Sequence, residues 1–274
     1  MKKHLPVIIL ILMAIVGFSL LLYPVVSSYI NSFHQSQSVA HYAEATSKID
    51  KNTLSNLKSN ANKYNKEIAD RRQAFISGDP IDKEYKSLLN MDDEGMIGYI
   101  VIDKIGAQMP IYHGTAESVL SNGIGHLEGS SLPLGGIGTH CVLTGHRGVP
   151  SSELFTNLDK VEIGDLFTIT VLDEVLTYEV DHISIVEPND DTQLVINENE
   201  DLVTLFTCTP YAVNTHRLLV RGTRIETKSS AHSITADAVL VDSNIVAVFI
   251  AIPIILLFVA TILIKKIIVR LCNK

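Results

Sequence analysis

The chain has 274 residues, 46% of them hydrophobic, and a formal net charge of −8. This length accommodates one large domain or two small ones, and the apolar content is ample for a folded core. The sequence contains no GxGxxG motif, no P-loop and no CxxC pair. It therefore lacks the usual signatures of dinucleotide binding, nucleotide binding and thioredoxin-type redox chemistry.

Two long uncharged stretches lie near the ends of the chain. Residues 5–22 and 245–264 run eighteen and twenty positions, and each is long enough to cross the roughly 30 Å hydrocarbon layer of a membrane as a helix. The first could be a cleaved signal peptide, but its apolar run is longer than usual and no tight small-x-small site follows it directly. We therefore expect an uncleaved anchor at residues 1–30, and a transmembrane helix with a basic tail at residues 244–274.

The charges flanking these stretches orient both spans. The basic residues at the two ends are Lys2, Lys3, Lys265, Lys266, Arg270 and Lys274. The positive-inside rule then predicts a two-pass protein with both termini cytoplasmic and the region between the spans outside the cell. That region holds sixteen basic and thirty acidic residues, a formal charge of −14. Such a surface repels phosphate backbones and argues against nucleic acid as a partner.

The first part of the outer region has a helical pattern. Residues 36–75 are polar, lack glycine and proline, and carry apolar residues at helical separations. They predict one or two amphipathic helices leading away from the membrane. Gly78 and Pro80 end this pattern, and we assign the extracellular helical region to residues 31–93. At the other end, the polar residues 226–243 form a tether to the second span.

Residues 94–225 have a different pattern, with short β-prone runs separated by turn residues. The runs are MIGYIVID, AQMPIYHG, THCVLTGH, LFTITVL, VLTYEV, HISIVE, LVTLFTC and RLLVRGTRI. Because no helix-length pattern alternates with them, the pattern argues against a parallel α/β sheet. The runs predict a compact all-β domain in the form of a closed barrel.

The predicted external domain contains two cysteines, Cys141 and Cys208, while Cys272 lies in the C-terminal tail. Exported domains usually have no cysteine or a paired set, so an unpaired thiol needs an explanation. A single Cys141–Cys208 disulfide is not expected, because a domain with so large a core has little need of one cross-link. We expect Cys141 to pack as a small apolar residue. Cys208 lies at the end of an apolar run, and its own segment is compatible with either a buried packing residue or a nucleophile.

A nucleophilic thiol needs a partner that helps it to ionise, and His146 is the candidate. It lies in "TGHRG", at the end of the run "CVLT", where Gly145 and Gly148 permit a turn that aims the imidazole out of the barrel. The histidines lack the tight spacing of a zinc motif, so we expect neither a metal nor another cofactor. The histidines expected at turns or at the surface are His113, His126 and His140.

Three segments resemble sortases, the membrane-anchored cysteine transpeptidases of Gram-positive bacteria. "TLFTC" at 204–208 resembles the TLxTC signature of that family, "LTGHRG" at 143–148 resembles its catalytic-histidine segment, and the continuation places Arg217 at the position of its catalytic arginine. The segment "NTHRLLVRG" at 214–222 and the predicted second membrane span resemble features of the class C, pilus-assembling sortases. The resemblance covers about residues 94–224 and implies the eight-stranded sortase barrel.

The resemblance also implies roles and partners. Cys208 would be the nucleophile, His146 the general acid and base, and Arg217 the group that stabilises the oxyanion. The substrate would be a secreted protein with an LPxTG-like sorting signal, cleaved between Thr and Gly through a thioacyl-enzyme. For class C relatives the acceptor is a pilin lysine.

Pilus-type sortases commonly have a lid in which an Asp-Pro-aromatic segment covers the active cysteine. The nearest match here is Asp79, Pro80 and Ile81. Ile81 lacks the aromatic ring, so this segment is either a degenerate lid or a plain linker.

Two other functions remain open on the sequence alone. A sortase could attach proteins to amines of peptidoglycan cross-bridges by the same chemistry. A membrane-anchored binding domain without enzymatic activity could use the same barrel, because fold does not determine function. The lone exported thiol, together with His146 and Arg217, favours an enzyme.

Overall fold

The structure is a computed structural model that describes residues 5–71, 83–91, 95–149 and 152–227. Residues Pro24–Ala231 form one compact unit, which contains the β-domain. The described part of the other unit is the apolar beginning of the first helix.

The helices precede the β-domain or lie within it. Those in the described residues are α1 (Leu5–Lys48), α2 (Lys51–Arg71), α3 (Lys83–Ser87) and α4 (Glu117–Leu120). Two short 3₁₀ helices cover Asp103–Ile105 and Leu158–Lys160. α1 includes the first apolar stretch and continues past residue 30, where composition placed the end of the anchor. Among the described residues, Ile9–Lys48 is the one helical stretch long and apolar enough to cross a membrane.

Asp50 marks the break between α1 and α2. Its carboxylate accepts hydrogen bonds from the backbone N–H groups of Asn52 and Thr53, at 2.9 and 3.0 Å, and from the Thr53 hydroxyl at 2.6 Å. These bonds satisfy donors that the first turn of a helix leaves free. They also hold the pKa of Asp50 below its usual value. A new helix therefore begins here within a sequence whose helical pattern is otherwise unbroken.

Both helices pack on the β-domain through polar anchors set among apolar contacts. In α1, the Tyr42 hydroxyl donates to the Ile97 carbonyl at 2.9 Å and accepts from the Leu172 N–H at 2.8 Å. In α2, the buried Asn65 amide bonds both the N–H and the C=O of Leu132, at 2.7 and 3.0 Å. Paired bonds of this kind specify one position for each helix, whereas apolar contact alone is non-directional.

Eight strands close into a barrel, as predicted. The strands are β1 (Met96–Ile102), β2 (Ala107–His113), β3 (Ile124–His126), β4 (Thr139–Thr144), β5 (Leu166–Val171), β6 (Glu174–Val186), β7 (Asp201–Thr209) and β8 (His216–Ile225). Their order around the barrel is β1-β2-β3-β4-β7-β8-β6-β5. The β2–β3 and β4–β7 pairs are parallel, and the other pairs that the registers define are antiparallel.

Two strand predictions were wrong although the strand count agrees. Ile124–His126 forms β3, which at three residues is too short to show an alternating pattern. The runs "VLTYEV" and "HISIVE" are a single strand, β6, whose register against β8 shifts between Val180 and His182. A β-bulge of this kind inserts an extra residue and interrupts the alternation that a sequence pattern relies on.

The expectation that His113, His126 and His140 lie at turns or at the surface was also wrong. All three side chains are buried, with exposed fractions of 7%, 0% and 0%. For His126 and His140 the fold supplies a hydrogen-bond partner to each ring nitrogen. The His126 ring lies 2.7 Å from the Tyr85 hydroxyl and 2.9 Å from the Ser131 carbonyl. The His140 ring lies near the Val195 carbonyl and the Thr204 hydroxyl.

Burial disfavours the charged form of an imidazole, and it lowers the pKa of each of these three histidines. For His126 the pKa falls from 6.5 to about 4. Cys141 is buried as expected, with 2% of its surface exposed, and burial raises the pKa of its thiol.

Acidification should therefore destabilise the barrel through His126. The unfolded chain binds the proton near pH 6.5 and the folded chain only near pH 4. The contribution of this group to stability is thus complete above pH 6.5 and is lost as the pH falls toward 4. Between pH 6.5 and 5 the loss should be roughly 2 kcal/mol. Denaturant unfolding across this range measures it.

The matched variants are His126→Gln and His182→Gln, the second at an exposed position on β6. The first should flatten the fall in the free energy of unfolding between pH 6.5 and 5, whatever its stability at neutral pH. The second should keep the fall. Equal slopes for the parent and His126→Gln would contradict this account.

Candidate active site

Cys208 lies near the end of β7, and its side chain is on the less buried face of that strand. Thr207 and Thr209 are buried, whereas Phe206 and Cys208 are partly exposed. This is the alternation that a strand imposes on successive side chains. The sequence predicted a strand-end cysteine, and the fold makes it reachable from solvent. Both Cys141 and Cys208 are free thiols, so the disulfide between them is absent.

Arg217 lies directly opposite Cys208 on the neighbouring strand. β7 and β8 are antiparallel, and the register pairs Cys208 with Arg217. The Arg217 guanidinium donates from Nη1 to the carbonyls of Asn214 and His216, at 3.2 and 3.0 Å. A guanidinium has five N–H donors, so these two bonds do not exhaust its capacity. The strand pairing thus places a cysteine and an arginine that are nine residues apart in sequence opposite each other.

His146 reaches the same edge of the barrel through the parallel pairing of β4 with β7. Thr144 is opposite Phe206 at the end of the ladder. Beyond it, the Gly145 N–H donates to the Phe206 carbonyl at 3.2 Å, and the Thr207 hydroxyl donates to the Gly145 carbonyl at 2.7 Å. His146 and Cys208 are each two residues past the Thr144–Phe206 pair. The sequence-predicted residues therefore converge at the ends of three adjacent strands.

The two glycines of "TGHRG" serve different purposes. A Cβ at Gly145 would lie 2.7 Å from the Ile124 side chain and 2.8 Å from the Phe155 ring, so this position requires a residue without a side chain. Gly148 has φ +77°, in the left-handed region that other residues rarely adopt. The turn expected from both glycines thus depends on Gly148, while Gly145 permits close packing beneath His146.

Glu117 is a contact of His146 that sequence reasoning missed. The His146 Nε2 atom lies 3.2 Å from both carboxylate oxygens of Glu117, at the start of α4. The Glu117 side chain is 78% exposed, so solvent weakens the pairing. Glu117 precedes His146 by 29 positions, and no motif links them. Only the fold brings this carboxylate to the imidazole.

Arg147 is the other contact that the sequence did not reveal. Its guanidinium donates from Nη1 to the Thr209 hydroxyl at 2.9 Å and pairs from Nη2 with Asp159 at 2.5 Å. Only 7% of the Arg147 side chain is exposed. A buried cation thus lies immediately after His146 in sequence and contacts the residue immediately after Cys208.

No metal or lid can be assigned to this site. Within residues 5–71, 83–91, 95–149 and 152–227, no group of three or more His, Cys, Asp or Glu side chains could hold a metal ion. Asp79, Pro80 and Ile81 lie outside the described residues, as does the second apolar stretch at 245–264.

The bond from Thr207 to Gly145 should contribute measurably to stability. Thr207→Val keeps the shape of the side chain but leaves a buried carbonyl beside His146 without this donor, which should cost about 1–3 kcal/mol. Thr168→Val is the matched control, because the buried Thr168 hydroxyl has no hydrogen-bond partner among the described residues. That change should leave the free energy of unfolding unchanged or slightly higher. Equal losses in the two variants would contradict the assignment.

Comparison with known proteins gives concordant matches. A family model for the Sortase domain matches residues 100–225. The crystal structure of sortase C1 from Streptococcus agalactiae is 45% identical, with a TM-score of 0.65, and the match covers 70% of this chain and 100% of that one. Sortase C of Streptococcus pneumoniae is 44% identical, with a TM-score of 0.63, covering 70% of this chain and 97% of that one.

A more distant match is Sortase D of Bacillus subtilis (strain 168), 30% identical over 115 residues, which are 42% of this chain and 55% of that protein. The match thus spans about half the length of this relative, but the full length of the S. agalactiae chain. Identity of that size along an entire solved chain reflects more than a shared fold, and this chain belongs to the sortase family of cysteine transpeptidases.

Proposed function

We propose that this protein cleaves an LPxTG-like sorting signal between Thr and Gly and transfers the acyl group to an amine. Cys208 is the nucleophile, His146 the general acid and base, and Arg217 the stabiliser of the oxyanion. The observation that supports this assignment best is the convergence of these residues on one edge of the barrel. β4, β7 and β8 are neighbours, Cys208 is paired with Arg217, and His146 lies two residues past the last β4–β7 pair.

The first half of the reaction forms a thioacyl-enzyme. The Cys208 thiolate attacks the Thr carbonyl, a carbon–sulfur bond forms, and the carbonyl oxygen gains negative charge. Arg217 donates hydrogen bonds to that oxygen, and such a donor acts where charge develops in the transition state. The carbon–nitrogen bond then breaks, and His146 donates a proton to the leaving glycine amine.

The second half releases the acyl group. An amine attacks only in its neutral form, and a free lysine is almost wholly protonated at neutral pH. His146, neutral after the first half, accepts a proton from the incoming amine. The amine nitrogen forms an amide bond with the acyl carbon, and the carbon–sulfur bond breaks, so that the Cys208 sulfur leaves as the thiolate. Water competes for the same intermediate, so a site that excludes water favours transfer over hydrolysis.

The acceptor we favour is a pilin lysine, so that the product is an isopeptide bond between pilus subunits. The similar sortase C of S. pneumoniae is described in terms of pilin substrate specificity, which supports this choice. The alternative acceptor, a peptidoglycan cross-bridge amine, uses the same residues. A binding domain without enzymatic activity is disfavoured, because it would not need a solvent-accessible thiol opposite an arginine.

We further propose that the protein is anchored at the cell membrane by two spans, with both termini in the cytoplasm and the catalytic barrel outside. The apolar beginning of α1 supports the first span. In this arrangement residues 1–30 are the anchor, 31–93 the helical region and 94–225 the catalytic barrel. Residues 226–243 then tether the barrel to the second span at 244–274.

Acyl transfer to Cys208 can be observed directly. The full-length protein in detergent is incubated with an LPxTG peptide, and intact-mass and peptide spectra are recorded. An adduct with the mass of the peptide up to Thr should appear on Cys208. Cys208→Ala should give no adduct, whereas Cys141→Ala, which removes the buried thiol, should keep it. An adduct that persists in Cys208→Ala, or none in the parent protein, sinks the assignment.

The acceptor can be identified by competition. The acyl-enzyme is offered equimolar amounts of a pilin domain with its lysine and a peptide that mimics a cross-bridge amine. We expect mainly the isopeptide product, identified by branched fragments in the mass spectrum, with hydrolysis as the minor outcome. A lysine-to-arginine pilin domain is the matched control and should give none. Preferential transfer to the cross-bridge mimic would instead support wall anchoring.

A further inference from the structure

Arg147 joins the two strand ends that carry the proposed histidine and cysteine. It follows His146 directly, and its Nη1 donates to the hydroxyl of Thr209, which follows Cys208. Asp159 holds the other end of the guanidinium through Nη2. A planar guanidinium that bonds two partners at once has little freedom to rotate. Arg147 is therefore a rigid link between the residue next to His146 and the residue next to Cys208.

The burial of this side chain is costly. Arg147 is 7% exposed, and its Nε atom is buried with no hydrogen-bond partner in the described part of the chain. Removing a cation from water without satisfying all its donors is unfavourable, and an apolar residue of similar volume is often as stabilising as a buried ion pair. Stability alone is therefore a weak reason for an arginine at this position.

The other bonds around this turn act on its main chain. Gly145 is tied to Phe206 and Thr207, as described above, and the His146 carbonyl accepts from the Phe155 N–H at 3.1 Å. On the far side, the Gly148 N–H donates to the Thr156 hydroxyl at 3.1 Å. The Gly145 bonds hold the start of the turn against β7, before Cys208, and the other two hold the turn to Phe155 and Thr156. The bond between Arg147 and Thr209 differs because it joins the turn to β7 on the far side of Cys208.

We propose that Arg147 is a positioning residue, which holds the His146 imidazole at the distance from Cys208 at which it protonates the leaving amine. Arg147 itself does not touch the substrate. The inference rests on the roles proposed for Cys208 and His146 and adds a third group that makes their geometry productive. Displacement of a reacting group by about 1 Å can reduce a rate roughly 100-fold.

Two substrates with the same acyl group separate this role from a purely structural one. In an LPxTG peptide the leaving group is an amine, which must gain a proton from His146 as the carbon–nitrogen bond breaks. In a peptide thioester the leaving group is a thiolate, which departs without a proton. In both reactions the Cys208 sulfur forms the same bond to the Thr carbonyl carbon. A misplaced His146 therefore lowers the ratio of the amide rate to the thioester rate, because any effect on the ionisation of Cys208 slows both reactions alike.

The experiment measures single-turnover acylation of full-length Arg147→Gln in detergent. We expect the amide reaction to slow by about 10- to 100-fold, and the thioester reaction to stay within about threefold of the parent. His146→Ala should show the same selectivity with a larger loss. Arg221→Gln is the matched control on β8, where the guanidinium pairs with Asp181. It should leave both rates unchanged.

Thr209 provides a second, independent test if Arg147→Gln does not fold cooperatively. Thr209→Ser keeps the hydroxyl and should keep both rates. Thr209→Val removes the acceptor of the Arg147 bond and should slow the amide alone. If the bond is the link, combining Arg147→Gln with Thr209→Val should slow the amide no more than either change alone, because partners in one contact are not additive.

The outcomes that overturn the inference are distinct from those that overturn the proposed function. Equal losses with both substrates would show that Arg147 does not act through the proton that His146 donates to the leaving amine. Unchanged amide acylation in both Arg147→Gln and Thr209→Val would remove the role altogether. If His146→Ala itself retains full amide acylation, the role proposed for His146 is wrong, whereas the absence of any acylation in the parent protein would overturn the proposed function.

Discussion

In this barrel β4 and β7 run side by side in the same direction, with Thr144 opposite Phe206. Because the strands are parallel, the chain leaves both at the same edge of the sheet. The bonds that Gly145 makes to Phe206 and Thr207 continue the alignment past the last ladder pair. The position of His146 beside Cys208 depends on that register, and the antiparallel pairing of β8 adds Arg217 to the same edge. A register slip of one residue would turn either side chain to the other face.

Buried polar contacts fix three helices to the barrel. α1 and α2 are each fastened to the barrel by a side chain that satisfies two backbone groups, Tyr42 and Asn65. Tyr85 of α3 bonds His126 and the Gly114 N–H inside the barrel. These buried polar contacts are directional and specify one arrangement. They also make the fold sensitive to acid. Burial keeps imidazoles such as His126 neutral, so a low pH reduces the free energy of unfolding.

The sequence predicted the barrel and the strand-end positions of Cys208 and His146, because short motifs at strand ends carry their own signal. It failed where the outcome depended on neighbours distant in sequence. A three-residue strand, Ile124–His126, has too few positions to alternate. His140 looked like a surface residue, since nothing in its own segment shows that Thr204 and the Val195 carbonyl will enclose it. The link from Arg147 to Thr209 exists only once β4 and β7 are paired.

The central claim is that a thiol, an imidazole and a guanidinium on three adjacent strands act on one carbonyl group. The most direct measurement is a crystal structure of the protein bound to an LPxTG-like peptide in which a reactive ketone replaces the scissile amide. The account predicts a covalent bond to the Cys208 sulfur, the ketone oxygen within about 3 Å of Arg217, and the His146 imidazole on the leaving-group side. A covalent bond to another residue would contradict the account. So would a ketone oxygen that points away from Arg217 while its guanidinium still donates to the Asn214 and His216 carbonyls.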